Sequence, residues 1–113
     1  MSKEEIDLDA ALKSLRATRR KLRNIDDDTL DKMEPASQNE WAATLQKVSI
    51  SITRLETAKL RTLSDKFKKR EPELREASSQ LESDLAELRD AVQIIQVASE
   101  GLRLITNIVQ LLK

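Results

Sequence analysis

The chain has 113 residues, 39% apolar and 35% charged, and its 20 basic and 20 acidic side chains leave no net charge. Without Cys or His it has no disulfide staples and lacks the usual ligands of zinc, haem and iron–sulfur clusters. One Gly, two Pro and two aromatics, set among many Leu, Ala, Glu, Lys and Arg, describe a single all-α domain.

The amino terminus, Met1-Ser-Lys-Glu-Glu-Ile-Asp, has no apolar core of the kind a signal peptide needs, so a cytoplasmic protein is the expectation. A first helix is predicted from about residue 3 to 24. Leu8, Ala11, Leu15, Thr18 and Leu22 follow the three-four spacing of one helical seam. Acids at Glu4, Glu5, Asp7 and Asp9 open it, and Arg19, Arg20, Lys21 and Arg23 close it, which suits the helix dipole at both ends.

Residues 26–36 form an acidic connector. Consecutive Asp residues favour caps over helix interiors, and Glu34 before Pro35 is pushed out of the helical region. A short turn holding Leu30 and Met33 against the core is expected here. Three adjacent acids also raise the question of a metal loop, but a calcium loop needs alternating ligands and a Gly at its bend. The connector has no Gly, and no metal or other cofactor is expected.

Helix 2 is predicted over about 37–70. Ser37 followed by Glu40 has the spacing of a capping box, and Trp41, Leu45, Val48, Ile52 and Leu55 make a clean seam. Trp41 fits a core plug better than a ligand-stacking ring. Pro72 with Glu on either side suggests the start of helix 3, over about 73–112. Apolar residues recur there every seventh position: Leu74, Leu81, Leu88, Ile95, Leu102 and Val109. Beyond Val92 a second stripe runs beside the first, through Ile94, Val97, Gly101, Leu104, Ile108 and Leu111.

These elements predict a three-helix antiparallel bundle with a long coiled-coil hairpin of helices 2 and 3. Helix 1 is expected to fill the second seam beside the first half of helix 2. Residues 37–70 hold eight basic and three acidic residues, and residues 71–90 two and seven, so the hairpin would align opposite charges. Such pairs select register and add little stability. An isolated two-helix projection buries too little to stand alone, which points to a homo-oligomer, most simply a dimer.

Catalysis is not expected, because His, Cys and Tyr are all absent and no phosphate loop or nucleophile motif occurs. Residues 91–112 are apolar enough to consider a membrane span, but Glu100 and Arg103 lie at the centre. A membrane-surface or pore-associated role for this helix is the weaker reading. Basic stripes (Lys13, Arg16, Arg20, Arg23; Lys66, Lys68, Lys69, Arg70) could meet nucleic acid, but zero net charge and the lack of interleaved aromatics argue against it.

The expected function is therefore a non-catalytic helical assembly or adaptor protein that binds itself or another helical protein. An alternative is a chaperone or immunity-type protein that sequesters a partner's amphipathic helix. The candidate partner-binding residues are Leu63, Phe67, Ile94, Val97, Leu104, Ile108 and Leu111.

Overall fold

A computed structural model describes residues 8–112. Five helices follow in order: α1 (Asp9–Arg23), α2 (Asp27–Lys32), α3 (Pro35–Ala58), α4 (Asp65–Ala86) and α5 (Ala91–Val109). The described residues contain no strand. The part of the expected first helix before Leu8 lies outside the described residues.

The turns between helices are set by side chains that take up free amides. Asp26 accepts a hydrogen bond from the Thr29 amide at 2.7 Å and starts α2. Ser64 accepts from the Phe67 amide at 3.2 Å and starts α4, and Asp90 accepts from the Gln93 amide at 3.0 Å and starts α5. Helix α3 instead begins with Pro35 as its first residue, where the missing N–H costs nothing. Ser37 and Glu40 therefore lie inside α3, and the expected capping box is not its start.

Two of the long expected helices are broken. The helix predicted over 37–70 ends at Ala58, where the Leu60 and Arg61 amides turn back to the Thr57 and Ala58 carbonyls. Pro72 does not open a helix; it sits inside α4, which Ser64 has already started two turns earlier. The helix predicted over 73–112 reverses at residues 87–90, where Asp90 caps α5. A coiled-coil hairpin of helices 2 and 3 is therefore absent, because the carboxy-terminal half folds back onto α4.

Four helices pack around one core, with α2 as a corner between α1 and α3. Helix α1 lies against α3 and α4, and α5 also lies against α3 and α4. Helices α3 and α4 sit diagonally, with no extensive contact between them, and α1 meets α5 only along a narrow strip. Of the second seam of α5, Ile94 and Ile108 are buried and Gly101 lies against Leu81 of α4, while Val97 and Leu111 are partly buried and Leu104 is exposed; α1 does not fill it as expected. The body measures 56 × 26 × 18 Å.

All six residues of the heptad stripe face this core. Leu74, Leu81, Ile95, Leu102 and Val109 are buried and Leu88 packs against them. Each such Leu or Ile contributes roughly 1.5–3 kcal/mol by burial. Small residues at contact positions (Ala11, Thr18, Thr44, Ser51, Ser78, Ala98) let the helices approach closely. At Gly101 the Leu81 side chain of α4 occupies the space of a side chain: a Cβ there would lie 2.7 Å from Leu81 Cδ1.

Polar contacts between helices fall mainly on the α1–α3 seam. Arg16 pairs with Glu56 at 2.7 Å, and Lys59 with Asp9 at 2.5 Å. The second pair sets the start of α1 beside the end of α3, so the two run antiparallel. Because α3 and α4 are not neighbours, the expected alignment of the basic and acidic blocks does not occur. Ser14 Oγ donates to Glu82 across the α1–α4 seam at 2.9 Å. The Ser78 hydroxyl is buried and has no hydrogen-bond partner among the described residues.

Candidate functional site

Helices α3 and α5 run in the same direction and leave a furrow along their outer seam. Its upper part is lined by Lys47, Ile50, Ser51 and Arg54 of α3 facing Thr106, Val109 and Gln110. Its lower part is a cleft of about 440 Å³ where both helices end. Thr53, Thr57 and Ala58 form one wall there, with Leu63, Leu111 and Leu112 opposite. The two parts adjoin at Arg54, which lines both.

Lys47, Arg54 and Arg61 stand along this furrow at seven-residue spacing. Seven residues are close to two helical turns, so Lys47 and Arg54 stand on one flank of α3 about 10 Å apart along its axis, at 1.5 Å per residue. Arg61 lies just past α3, in the turn whose amide bonds back to the Ala58 carbonyl at 3.1 Å. No Asp or Glu is among the described lining residues of either part. Among the described residues none of these cations has an ion-pair partner, whereas Arg16, Lys59, Arg70 and Arg75 each have one. Ile50, at 45% exposed, stands beside the row, and Leu60, at 88% exposed, projects from the turn below it.

A second, shallower groove follows the α4–α5 seam. Ala77 and Leu81 face Val97, Gly101 and Leu104 there, with Asp84 and Glu100 on the rim. The seven candidate residues divide among three places. Phe67, Ile94 and Ile108 are buried in the core of their own chain, and of these only Ile94 borders a surface hollow, where α5 starts beside the end of α1. Leu63 and Leu111 line the basic cleft, partly buried. Val97 and Leu104 line the acidic groove, and Leu104 is 37% exposed.

The sequence reading missed the cations of the furrow and Ile50, Leu60 and Leu112. Its signal was available in part, because Lys47, Arg54 and Arg61 recur every seven residues. The basic stripe on α1 is interrupted by the Arg16–Glu56 pair, and the cluster after Ser64 by the Arg70–Glu73 pair at 2.5 Å.

In the acidic connector, hydrogen bonds from Thr29, first through its side chain and then its amide, hold the exposed Asp26 carboxyl below its ordinary pKa. Asp26 is thus occupied as a helix cap. The described residues hold no group of carboxylates arranged to bind a metal ion. No helix among them is long and apolar enough to cross a membrane. The furrow offers apolar contact and positive charge.

Comparison with family models, curated proteins and solved structures finds no match for this chain.

Proposed function

We propose that this chain is a non-catalytic interaction protein that holds or assembles with another protein through the furrow between α3 and α5. The observation that supports it most is the cleft of about 440 Å³ at the lower end, apolar at its floor and rimmed by Arg54 and Arg61. Concave, largely apolar sites with a few polar groups at the rim are the usual form of a binding surface. A helix laid into such a groove buries its apolar face while its polar face stays in water. Assembly, adaptor and sequestering roles all use this geometry, and a second copy or a different helical protein could fill it.

Substitution of exposed Thr57 by Arg would fill the cleft without entering the core. The wild type and the T57R variant, matched by circular dichroism, are compared by light scattering and by affinity capture from the native host. Loss of the wild type's assembly, or of its captured partner, in the variant is expected. Association that is the same in both proteins excludes the furrow as the docking surface.

A membrane-surface role is the second reading, favoured by Leu60 at 88% exposed between Lys59 and Arg61. Flotation with anionic vesicles tests it, and failure of the protein to float removes it.

A further inference from the structure

We infer that the occupant of the α3–α5 furrow is an acidic amphipathic helix of another protein, with carboxylates repeating every seven residues along one flank. The inference rests on the reading of the furrow as a docking surface and adds the chemistry and register of what docks there. Three features carry it. The furrow lies between two helices running in the same direction, and a ridge of side chains from a third helix packs into such a groove. Its partly buried Leu63, Leu111 and Leu112 supply the apolar contacts, with Ile50 at the edge.

The charge pattern gives the specificity. Lys47 and Arg54 are two turns apart on α3, where carboxylates at positions i and i+7 of a docked helix match them, and Arg61 in the turn beyond α3 adds a third cation at the lower end. No Asp or Glu is among the described residues that line the furrow, whereas the α4–α5 groove carries Asp84 and Glu100, so the charge beside this channel is of one sign. A basic helix would place like charges against this row. The acidic segment of this chain itself, α2, has six residues and at about 9 Å is shorter than the separation of Lys47 and Arg54 alone, so it does not supply the docked helix.

Two synthetic peptides of about 18 residues, long enough to hold helical shape, test the proposal. Both carry a Leu seam and have the same composition. One places Glu at heptad spacing on the flank and Lys on the outer face; the other exchanges them. Binding is read by fluorescence anisotropy against the full chain and against the variant K47E/R54E/R61E. All three substituted residues are exposed, and circular dichroism checks that the variant is folded.

The Glu-flank peptide is expected to bind the wild type more tightly than its isomer and to weaken about tenfold or more on charge reversal. The reversed protein is expected to prefer the Lys-flank isomer. Equal affinity for both peptides, unchanged by charge reversal but abolished by T57R, overturns the acidic-helix proposal and leaves the docking surface standing. Binding that T57R does not affect overturns both. A doubled mass of the wild type alone, lost on charge reversal, assigns the furrow to a second copy and also overturns the proposal. So does charge-dependent binding to phosphatidylserine vesicles without binding to either peptide.

Discussion

The indole Nε1 of Trp41 donates a hydrogen bond to the Leu22 carbonyl across 2.9 Å, tying the first turns of α3 to the last turn of α1. The last carbonyls of a helix have no partner inside it and need one from elsewhere. Gln38 does the same for α2, donating from Nε2 to the Leu30 carbonyl at 2.7 Å. The start of α3 thus completes the ends of the two helices before it, and Trp41 is both packing and cap. Substitution of Trp41 by Phe keeps most of the ring contact and removes the donor. A loss of about 1–2 kcal/mol in unfolding free energy is expected, read by urea denaturation followed at 222 nm. No loss would mean that water serves the Leu22 carbonyl equally well.

The approach of α5 to α4 at Gly101 makes a second prediction. Gly101→Ala gains up to about 1 kcal/mol of helix propensity but sets its Cβ against Leu81, which is buried. Overpacking costs about 1–3 kcal/mol, so the net effect expected is a modest destabilisation. Leu81→Ala alone should cost about 2–5 kcal/mol through the cavity it leaves. The double variant should be more stable than the sum of the two changes allows, because the new methyl enters space that Leu81 vacated. Strict additivity in a thermal or urea cycle would show that the two side chains do not compete for the same space.

Asp26 gives the fold a pH dependence of known sign. Its folded-state pKa is lowered by the Thr29 hydrogen bonds, so its contribution is present above the unfolded carboxyl value and is lost as pH falls through the lowered one. Asp26→Ala should therefore be less stable than the wild type at pH 6, and the gap should narrow toward pH 3. Asp26→Asn, which keeps an acceptor for the Thr29 amide, should retain much of the cap without this pH dependence. Urea midpoints for the three proteins across this range decide it. A gap between wild type and D26A that stays constant would rule out the carboxylate as its source.

The all-α class, the core stripe and the acidic corner were legible in the sequence because they depend on local spacing. Leu74 through Val109 kept the heptad unbroken, and every one of those residues faces the interior. The same regularity concealed the reversal at residues 87–90: Leu88 holds the stripe while the chain turns, and only Asp90 marks the cap. Ser64 was hidden in the same way behind Pro72, whose bias toward helix starts suggested a boundary eight residues too late. The furrow depends on α3 and α5 becoming neighbours. That is a long-range fact, and no pattern within either helix encodes it. Lys47, Arg54 and Arg61 could be seen as a heptad row, but the absence of nearby carboxylates becomes visible only once the helices are packed.

Pro72 is where the sequence reading and the fold differ most directly, and it can be tested alone. It lies inside α4, seven residues past Asp65, with no N–H to offer the Lys68 carbonyl. Its side chain is exposed, so the ring is not needed for packing, although its neighbour Glu71 is buried and pairs with Arg75 at 3.8 Å. Pro72→Ala restores the hydrogen bond and relieves the clash of the ring with the preceding turn. A gain of about 1–3 kcal/mol is expected, with greater helix content at 222 nm. If α4 instead started at Pro72, with residues 65–71 outside the helix, the same change would remove a favourable first-turn residue and leave stability equal or lower. The sign of the change therefore distinguishes a helix that begins at the Ser64 cap from one that begins at the proline.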